Sequence, residues 1–301
     1  MMAAEKTHHW RGELRINEPM SRHNSWRAGG VARRFYKPAD LEDLSDFLSE
    51  LHPQEPLLWV GLGSNLLVRD GGFPGTVILT VGVLTEMEWL NDVTLRAGAG
   101  VTCAKVARVT AKQGLTGAEF LAGIPGSLGG ALAMNAGAFG GETWDHVAAV
   151  ETIDRAGRLH TRQPEEYRVA YRTVGGVVDE WFVAAQLSLQ HGDSDSAQSA
   201  IRELLARRAA TQPTKQYSCG SVFRNPPGDH AARLIESAGL KGKTLGGAQV
   251  SEKHANFIIN TGDASAADIE TLVNQVQGRV EQLYGVRLET EVRIVGDHVA
   301  R

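Results

Sequence analysis

The chain has 301 residues, 42% hydrophobic and 22% charged, with a formal net charge of −4. This composition excludes a disordered or fibrous protein, and the acidic balance excludes one devoted to nucleic acid. The length exceeds one average core and suits two or three small domains. Cys103 and Cys219 stand far apart in no CxxC spacing, so neither a disulfide framework nor a structural zinc set is expected. The scattered histidines (His8, His9, His23, His52, His146) predict no metal site. Met1 to Arg15 holds no apolar leader, and no apolar run is long enough to cross a bilayer. A cytoplasmic protein without membrane insertion is expected.

The first twenty residues carry no clear pattern. Asn24-Ser25-Trp26-Arg27-Ala28-Gly29-Gly30 reads as a turn, followed by an extended run from Arg33 to Lys37. Asp40 caps a helix with Leu41, Leu44, Phe47, Leu48 and Leu51 at helical spacing. Residues 56–60 form a short buried strand that runs into Gly61-Leu62-Gly63-Ser64-Asn65-Leu66, and residues 76–81 form another. A strand at 94–100 is followed by a helix from the Thr102 cap to Gln113.

From residue 147 the pattern changes to strands at 147–154, 159–161 and 181–190, with turns at Gly157 and Gly175-Gly176. Residues 191–196 read as a polar surface loop before a helix from Ala197 to Ala210. Asp229 is expected to cap a helix stopped by Gly239, and residues 257–260 form a strand. Ser265 with Asp268 makes a capping box for a long helix stopped by Gly285. Residues 286–295 are expected to form the closing strand, with Glu289, Glu291 and Arg293 on one face.

The most informative stretch is Phe120–Gly141. It holds seven glycines (Gly123, Gly126, Gly129, Gly130, Gly137, Gly140, Gly141) and no charge. A flexible linker would carry Ser, Pro and charge. This stretch carries Phe120, Leu121, Ile124, Leu128, Leu132, Met134 and Phe139, so a buried loop that lays backbone against an anionic ligand is expected. Gly61–Leu66 is a second candidate for the same diphosphate. A Rossmann reading of Gly61-x-Gly63 fails for want of the third glycine, because Leu66 stands there. A Walker A loop at Gly242-Lys243-Thr244 fails because its leading glycine is Ser237.

By themselves, Tyr171-Arg172 and the 289–293 alternation read as solvated surface, and Cys219 as packing rather than a nucleophile paired with His254. Ser221 lacks a hydrolase elbow and is a proton donor only if something else supplies the driving force.

Six motifs nevertheless occur in one order: Asn24-Ser25-Trp26-Arg27 with Gly29-Gly30; Gly61–Leu66; Leu121-Ala122-Gly123-Ile124-Pro125-Gly126 through Met134-Asn135-Ala136-Gly137; Tyr171-Arg172; Gly220-Ser221-Val222-Phe223-Arg224-Asn225-Pro226; and Leu288-Glu289-Thr290-Glu291-Val292-Arg293. Over residues 17–296 this order resembles the UDP-N-acetylenolpyruvoylglucosamine reductase (MurB) family, which makes UDP-N-acetylmuramate for peptidoglycan.

The resemblance implies an α/β (α+β) flavoprotein of three domains, with a two-lobed FAD-binding part of the vanillyl-alcohol-oxidase type and a smaller substrate-binding domain. The expected divisions are residues 1–82, residues 83–213 with 286–301, and residues 214–285. Non-covalent FAD would meet Trp26, Gly61, Gly63, Ser64, Asn65, Leu66, Gly123, Ile124, Pro125, Gly126, Ser127, Gly129, Gly130, Asn135, Ala136 and Gly137. In the family, NADPH reduces FAD, which passes hydride to the enolpyruvyl group of the substrate. By motif position Ser221 resembles the proton donor, and Arg172 and Glu291 the pair that stabilises developing charge on the carboxylate. Glu291 must then be protonated, or bridged to a cation, and its pKa is expected to be raised.

Tyr171, Lys215, Asn225, Lys241 and Arg293 are candidates for the nucleotide sugar. Val174 stands where the family often has serine, and the short interval from Arg172 to Ser221 resembles the family's shorter form. A monomer is expected. Two other readings are a non-catalytic flavin or UDP-sugar binding protein and another flavoprotein oxidase of the same superfamily. Intact Arg172, Ser221 and Glu291 speak against the first. The absence of His and Cys from both glycine segments speaks against a covalent flavin, common in the second.

Overall fold

The computed structural model describes residues 10–299; the expected leaderless start and the His8-His9 pair fall outside them. The Asp40 carboxylate accepts from Asp43 N and starts α1 (Leu41–Glu50), as its cap position requires. Strands Val31–Lys37, Phe73–Leu79 and Leu57–Val60 pair in parallel. Glu13–Pro19, in the stretch without a readable pattern, adds an antiparallel edge. The pleat sends alternate residues to opposite faces. Phe35, Leu58, Val60 and Val77 enter one core, while Tyr36 and Ile78 meet Leu44, Phe47 and Leu48 of α1 on the other.

A second sheet is antiparallel throughout, in the order Leu159–Arg162, Val147–Asp154, Glu180–Ser188, Thr94–Gly98, Met87–Trp89. Its core takes Leu95, Ala97, Val150 and Ala185 together with α2 (Cys103–Lys112), α3 (Leu128–Met134) and α4 (Ser194–Thr211). Thr102 caps α2 as expected. The polar 191–196 run is less of a loop than its composition suggests. Asp193 accepts from Ser196 N, and α4 begins at Ser194 rather than Ala197.

The third unit packs α5 (Ala231–Ser237) and α6 (Ala266–Tyr284) on a small sheet of Thr244–Leu245, Ala248–Val250 and Ile258–Asn260. The Ser265–Asp268 capping box and the left-handed Gly285 at φ 68° bound α6. The α5 cap differs from expectation. His230 is the cap residue and gives no side-chain bond, because the Asp229 carboxylate is taken by Arg233 and by His230 N. Asn225 Oδ1 accepts from Ala231 N instead.

The closing strand is also shorter and elsewhere than expected. Only Arg293–Val295 is strand, and it pairs in parallel with Leu66–Val68, beside the first sheet rather than the second. Residues 289–292 instead meet the 222–224 segment, through Arg224 N to Glu289 O (2.9 Å) and Glu291 N to Val222 O (2.8 Å). The final segment is thereby divided between two partners.

Candidate active site

Between the three units lies a cleft of about 720 Å³, within the range of small-molecule sites. Both glycine segments line it. The Phe120–Gly141 stretch is not one loop. Glu119–Gly123 is a 3₁₀ turn, Ser127 caps α3 by accepting from Gly130 N, and Asn135 ends α3 in the left-handed region at φ 42°. Cys103 N to Gly126 O (2.9 Å), Leu128 N to Val101 O (2.8 Å) and Gly129 N to Ala99 O (2.9 Å) pin the segment to the start of α2 and to the link that precedes it.

The glycines divide by what a Cβ would meet. At Gly61 it would lie 2.1 Å from Ser127 Oγ, and at Gly63 2.0 Å from His23 O, so these two let segments of the protein close on each other. At Gly126 the nearest atoms would be Ile124 Cγ2 at 3.5 Å and Ser64 Oγ at 3.7 Å, and at Gly130 only Ser127 Oγ at 3.6 Å. There the protein leaves room on the cleft wall. The amides of Ser64, Gly126 and Ser127 donate to no protein acceptor among the described residues. Uncharged amides converging on a cleft fit a diphosphate-bearing cofactor such as FAD.

Not every expected cofactor contact reaches the cleft. Trp26 is fully buried, and its indole N–H donates to Ile258 O at 2.7 Å. Asn260 Nδ2 returns a bond to Trp26 O at 2.8 Å. Trp26 therefore bolts the first unit to the third. Asn135 is buried too, donating to Glu142 Oε2 (2.7 Å) and accepting from Trp144 N (3.1 Å). These partners of Trp26 lie 232 and 234 residues away, those of Asn135 only seven and nine residues on. Asn65 lines the cleft and also donates to Glu291 O at 3.1 Å, linking the first glycine segment to the last.

Arg172, Ser221 and Glu291 all line this cleft. Tyr171-Arg172 is the two-residue turn of a hairpin between Arg168–Ala170 and Thr173–Gly175, with Arg172 at φ 53°. Positive φ at a long side chain is uncommon and marks a position held by its surroundings. Arg172 Nη2 donates to Gly137 O (2.8 Å) and Nη1 to Asn135 O (3.3 Å), at the end of α3. Its Nε lies 3.1 Å from Glu291 Oε1. Both side chains are largely buried, so the surface reading is overturned for Arg172 and Glu291, while Tyr171, Glu289 and Arg293 are exposed as that reading expected. Burial pushes the Glu291 carboxyl up, while the Arg172 and Arg224 charges pull it down without prevailing.

Ser221 follows Gly220 at φ 76° and precedes Val222 and Phe223, which are buried. Asn256 braces that segment by accepting from Phe223 N (3.0 Å) and donating to Phe223 O (2.8 Å). Cys219 is buried beside the first glycine segment, with Sγ 3.5 Å from both Gly63 O and Leu66 O. Burial pushes its thiol up to about 12, so it packs and does not react.

Of the nucleotide-sugar candidates only Arg293 lines the cleft. Tyr171 and Asn225 are exposed outside its wall, as is Lys215, and Lys241 pairs with Glu236 at 2.9 Å. The wall also holds residues not counted among the candidates: Arg27 from the first motif, Phe139 from the longer glycine segment, and Trp181, Arg208, Gln212 and Tyr217 from segments with no motif.

Residues 32–162 match an FAD binding domain, and residues 212–295 match the C-terminal domain of UDP-N-acetylenolpyruvoylglucosamine reductase. The chain is 62% identical over 287 residues to the UDP-N-acetylenolpyruvoylglucosamine reductase of Methylococcus capsulatus, covering 95% of this chain and 94% of that one. It is 60% identical over 297 residues to that of Alkalilimnicola ehrlichii, covering 99% of each. The fold is similar to the crystal structure of the reductase (MurB) from Thermus caldophilus, with a TM-score of 0.79 at 33% identity over 94% of this chain and 98% of that one. The chain therefore belongs to the UDP-N-acetylenolpyruvoylglucosamine reductase family.

Proposed function

We propose that the protein reduces UDP-N-acetylglucosamine enolpyruvate to UDP-N-acetylmuramate with NADPH and non-covalent FAD. The observation that carries this reading is the convergence of Arg172, Glu291 and Ser221 on the cleft walled by both glycine segments. Bound FAD would supply the two-electron relay between the nicotinamide and the substrate. Gly61–Leu66 and Gly123–Gly130 would hold it through backbone amides.

The chain's own groups account for the rest. The Arg172 guanidinium, fixed by its bonds to Asn135 O and Gly137 O, faces the cleft where the substrate carboxylate gains charge. Glu291, whose carboxyl burial pushes up, would donate to the same carboxylate in its protonated form. The Ser221 hydroxyl gives a proton to the carbon next to that carboxylate, and the basicity of the intermediate drives the transfer.

We assign residues 1–82 and 83–213 to FAD binding and 214–285 to the substrate, with 286–301 shared between the first unit and the catalytic cluster. A cytoplasmic monomer acting on a soluble nucleotide sugar is the setting we propose. Among the described residues no helix is long and apolar enough to cross a membrane.

The glycine geometry gives the test. Gly126→Ala leaves the apoprotein's thermal midpoint near that of the wild type, because its Cβ meets only ordinary contacts. It does, however, lower the flavin retained through gel filtration. Gly61→Ala behaves oppositely, destabilising the apoprotein itself by about 1–3 kcal/mol through overpacking. Full flavin retention in Gly126→Ala contradicts the cradle.

A further inference from the structure

The three proposed catalytic groups come from two bodies. Ser221 and Glu291 share one, because the 222–224 and 289–291 segments are joined by backbone bonds and by the Phe223–Thr290 bridge. Arg172 sits on the other, the hairpin turn. The approach of Arg172 Nε to Glu291 Oε1 at 3.1 Å ties them, and so does the side chain of Arg224. Arg224 Nη2 donates to Arg172 O at 3.0 Å, and Nη1 donates to Thr173 Oγ1 at 3.1 Å. Its own backbone N donates to Glu289 O at 2.9 Å. Among the described residues Arg224 has no carboxylate as a hydrogen-bond partner, so its fork is spent on the turn.

That turn holds Arg172 at φ 53°, a conformation that an arginine keeps only when its surroundings impose it. A planar guanidinium suits the task because two of its donors lie in one plane at fixed separation. We propose that Arg224 is a positioning residue that holds the Arg172 turn in register with Ser221 and Glu291. This inference rests on the roles proposed above for those three residues.

Arg224 also bears on Glu291 electrostatically. The charges that act on Glu291 are Arg172, from the hairpin, and Arg224, from the segment paired with its own. Both favour the carboxylate, so removing Arg224 lets the Glu291 pKa rise. If protonated Glu291 is the active form, turnover falls as pH rises through that pKa. The alkaline limb of kcat then moves to higher pH when Arg224 is lost.

The test uses the flavin-loaded enzyme and three variants, Arg224→Gln, Arg224→Lys and Thr173→Val. In Arg224→Gln, kcat for the enolpyruvyl substrate falls by about tenfold to a hundredfold, the scale of a misplaced catalytic group. NADPH still bleaches the bound flavin at the wild-type rate, and the alkaline limb moves up. Arg224→Lys returns the limb to its wild-type position but not the full kcat, because a point charge cannot span both acceptors. An unmoved limb in Arg224→Gln, or loss of NADPH bleaching in step with kcat, overturns the inference.

If Arg224→Gln fails to fold, Thr173→Val decides. A several-fold lower kcat with flavin fully bound supports the inference, and a wild-type kcat overturns it. A failure of the underlying reading has a different signature, since wild-type reduced flavin would then not be reoxidised by the substrate.

Discussion

Arg172→Ala is expected to lower kcat for enolpyruvyl reduction by about 10²- to 10³-fold, the usual loss when one fixed donor to a developing oxyanion is removed. The flavin is expected to stay bound, because the proposed cradle is Gly61–Leu66 and Gly123–Gly130 rather than the hairpin. Backbone strain does not confuse the comparison. Alanine and arginine carry the same Cβ at φ 53°, so the turn's conformational cost is common to both. Arg172→Lys does little better, for two reasons. An ammonium cannot reach Asn135 O and Gly137 O together while facing Glu291. Without those anchors the charge is no longer fixed in advance of the reaction. Steady-state kinetics alongside flavin content checks this, and a loss confined to flavin binding would transfer Arg172 to a structural role.

Ser221→Ala separates the two halves of the reaction. NADPH should bleach the flavin at the wild-type rate, while formation of the reduced sugar product falls by about 10²- to 10⁴-fold, the range for a positioned acid. The segment that carries Ser221 survives the change, because Val222, Phe223 and the Asn256 bonds hold it without the hydroxyl. Stopped-flow bleaching and product assay read the two halves independently. Equal loss in both would remove Ser221 from the proton-donor role.

Much of the fold was legible in the residues. Local chemistry was read correctly at the Asp40 and Thr102 caps, the Ser265–Asp268 box and the Gly285 stop, and missed at Asp229, whose carboxylate Arg233 takes. The longer glycine segment stood out because its glycines alternate with core-type side chains and carry no charge, which suits backbone laid against a ligand. Position in an ordered set of motifs found the Arg172–Ser221–Glu291 cluster; spacing alone favoured solvated surface for two of the three.

Partnership was less legible. Trp26 and Asn135 look like ligand contacts in sequence, and their partners, Ile258 O 232 residues away and Trp144 N nine residues on, cannot be read from a motif. The alternation at 289–295 implied one strand, but its first half is claimed by residues 222–224 and its second by residues 66–68. Arg224 passed unmarked because its significance lies in a carbonyl and a hydroxyl 52 and 51 residues away.

The most direct measurement of the central claim is the visible spectrum of the purified protein through one catalytic cycle. The account predicts a bound flavin that NADPH bleaches and that UDP-N-acetylglucosamine enolpyruvate, added without oxygen, restores while gaining two hydrogens as UDP-N-acetylmuramate. A colourless protein, or a bleached flavin that the enolpyruvyl substrate cannot reoxidise, would contradict it.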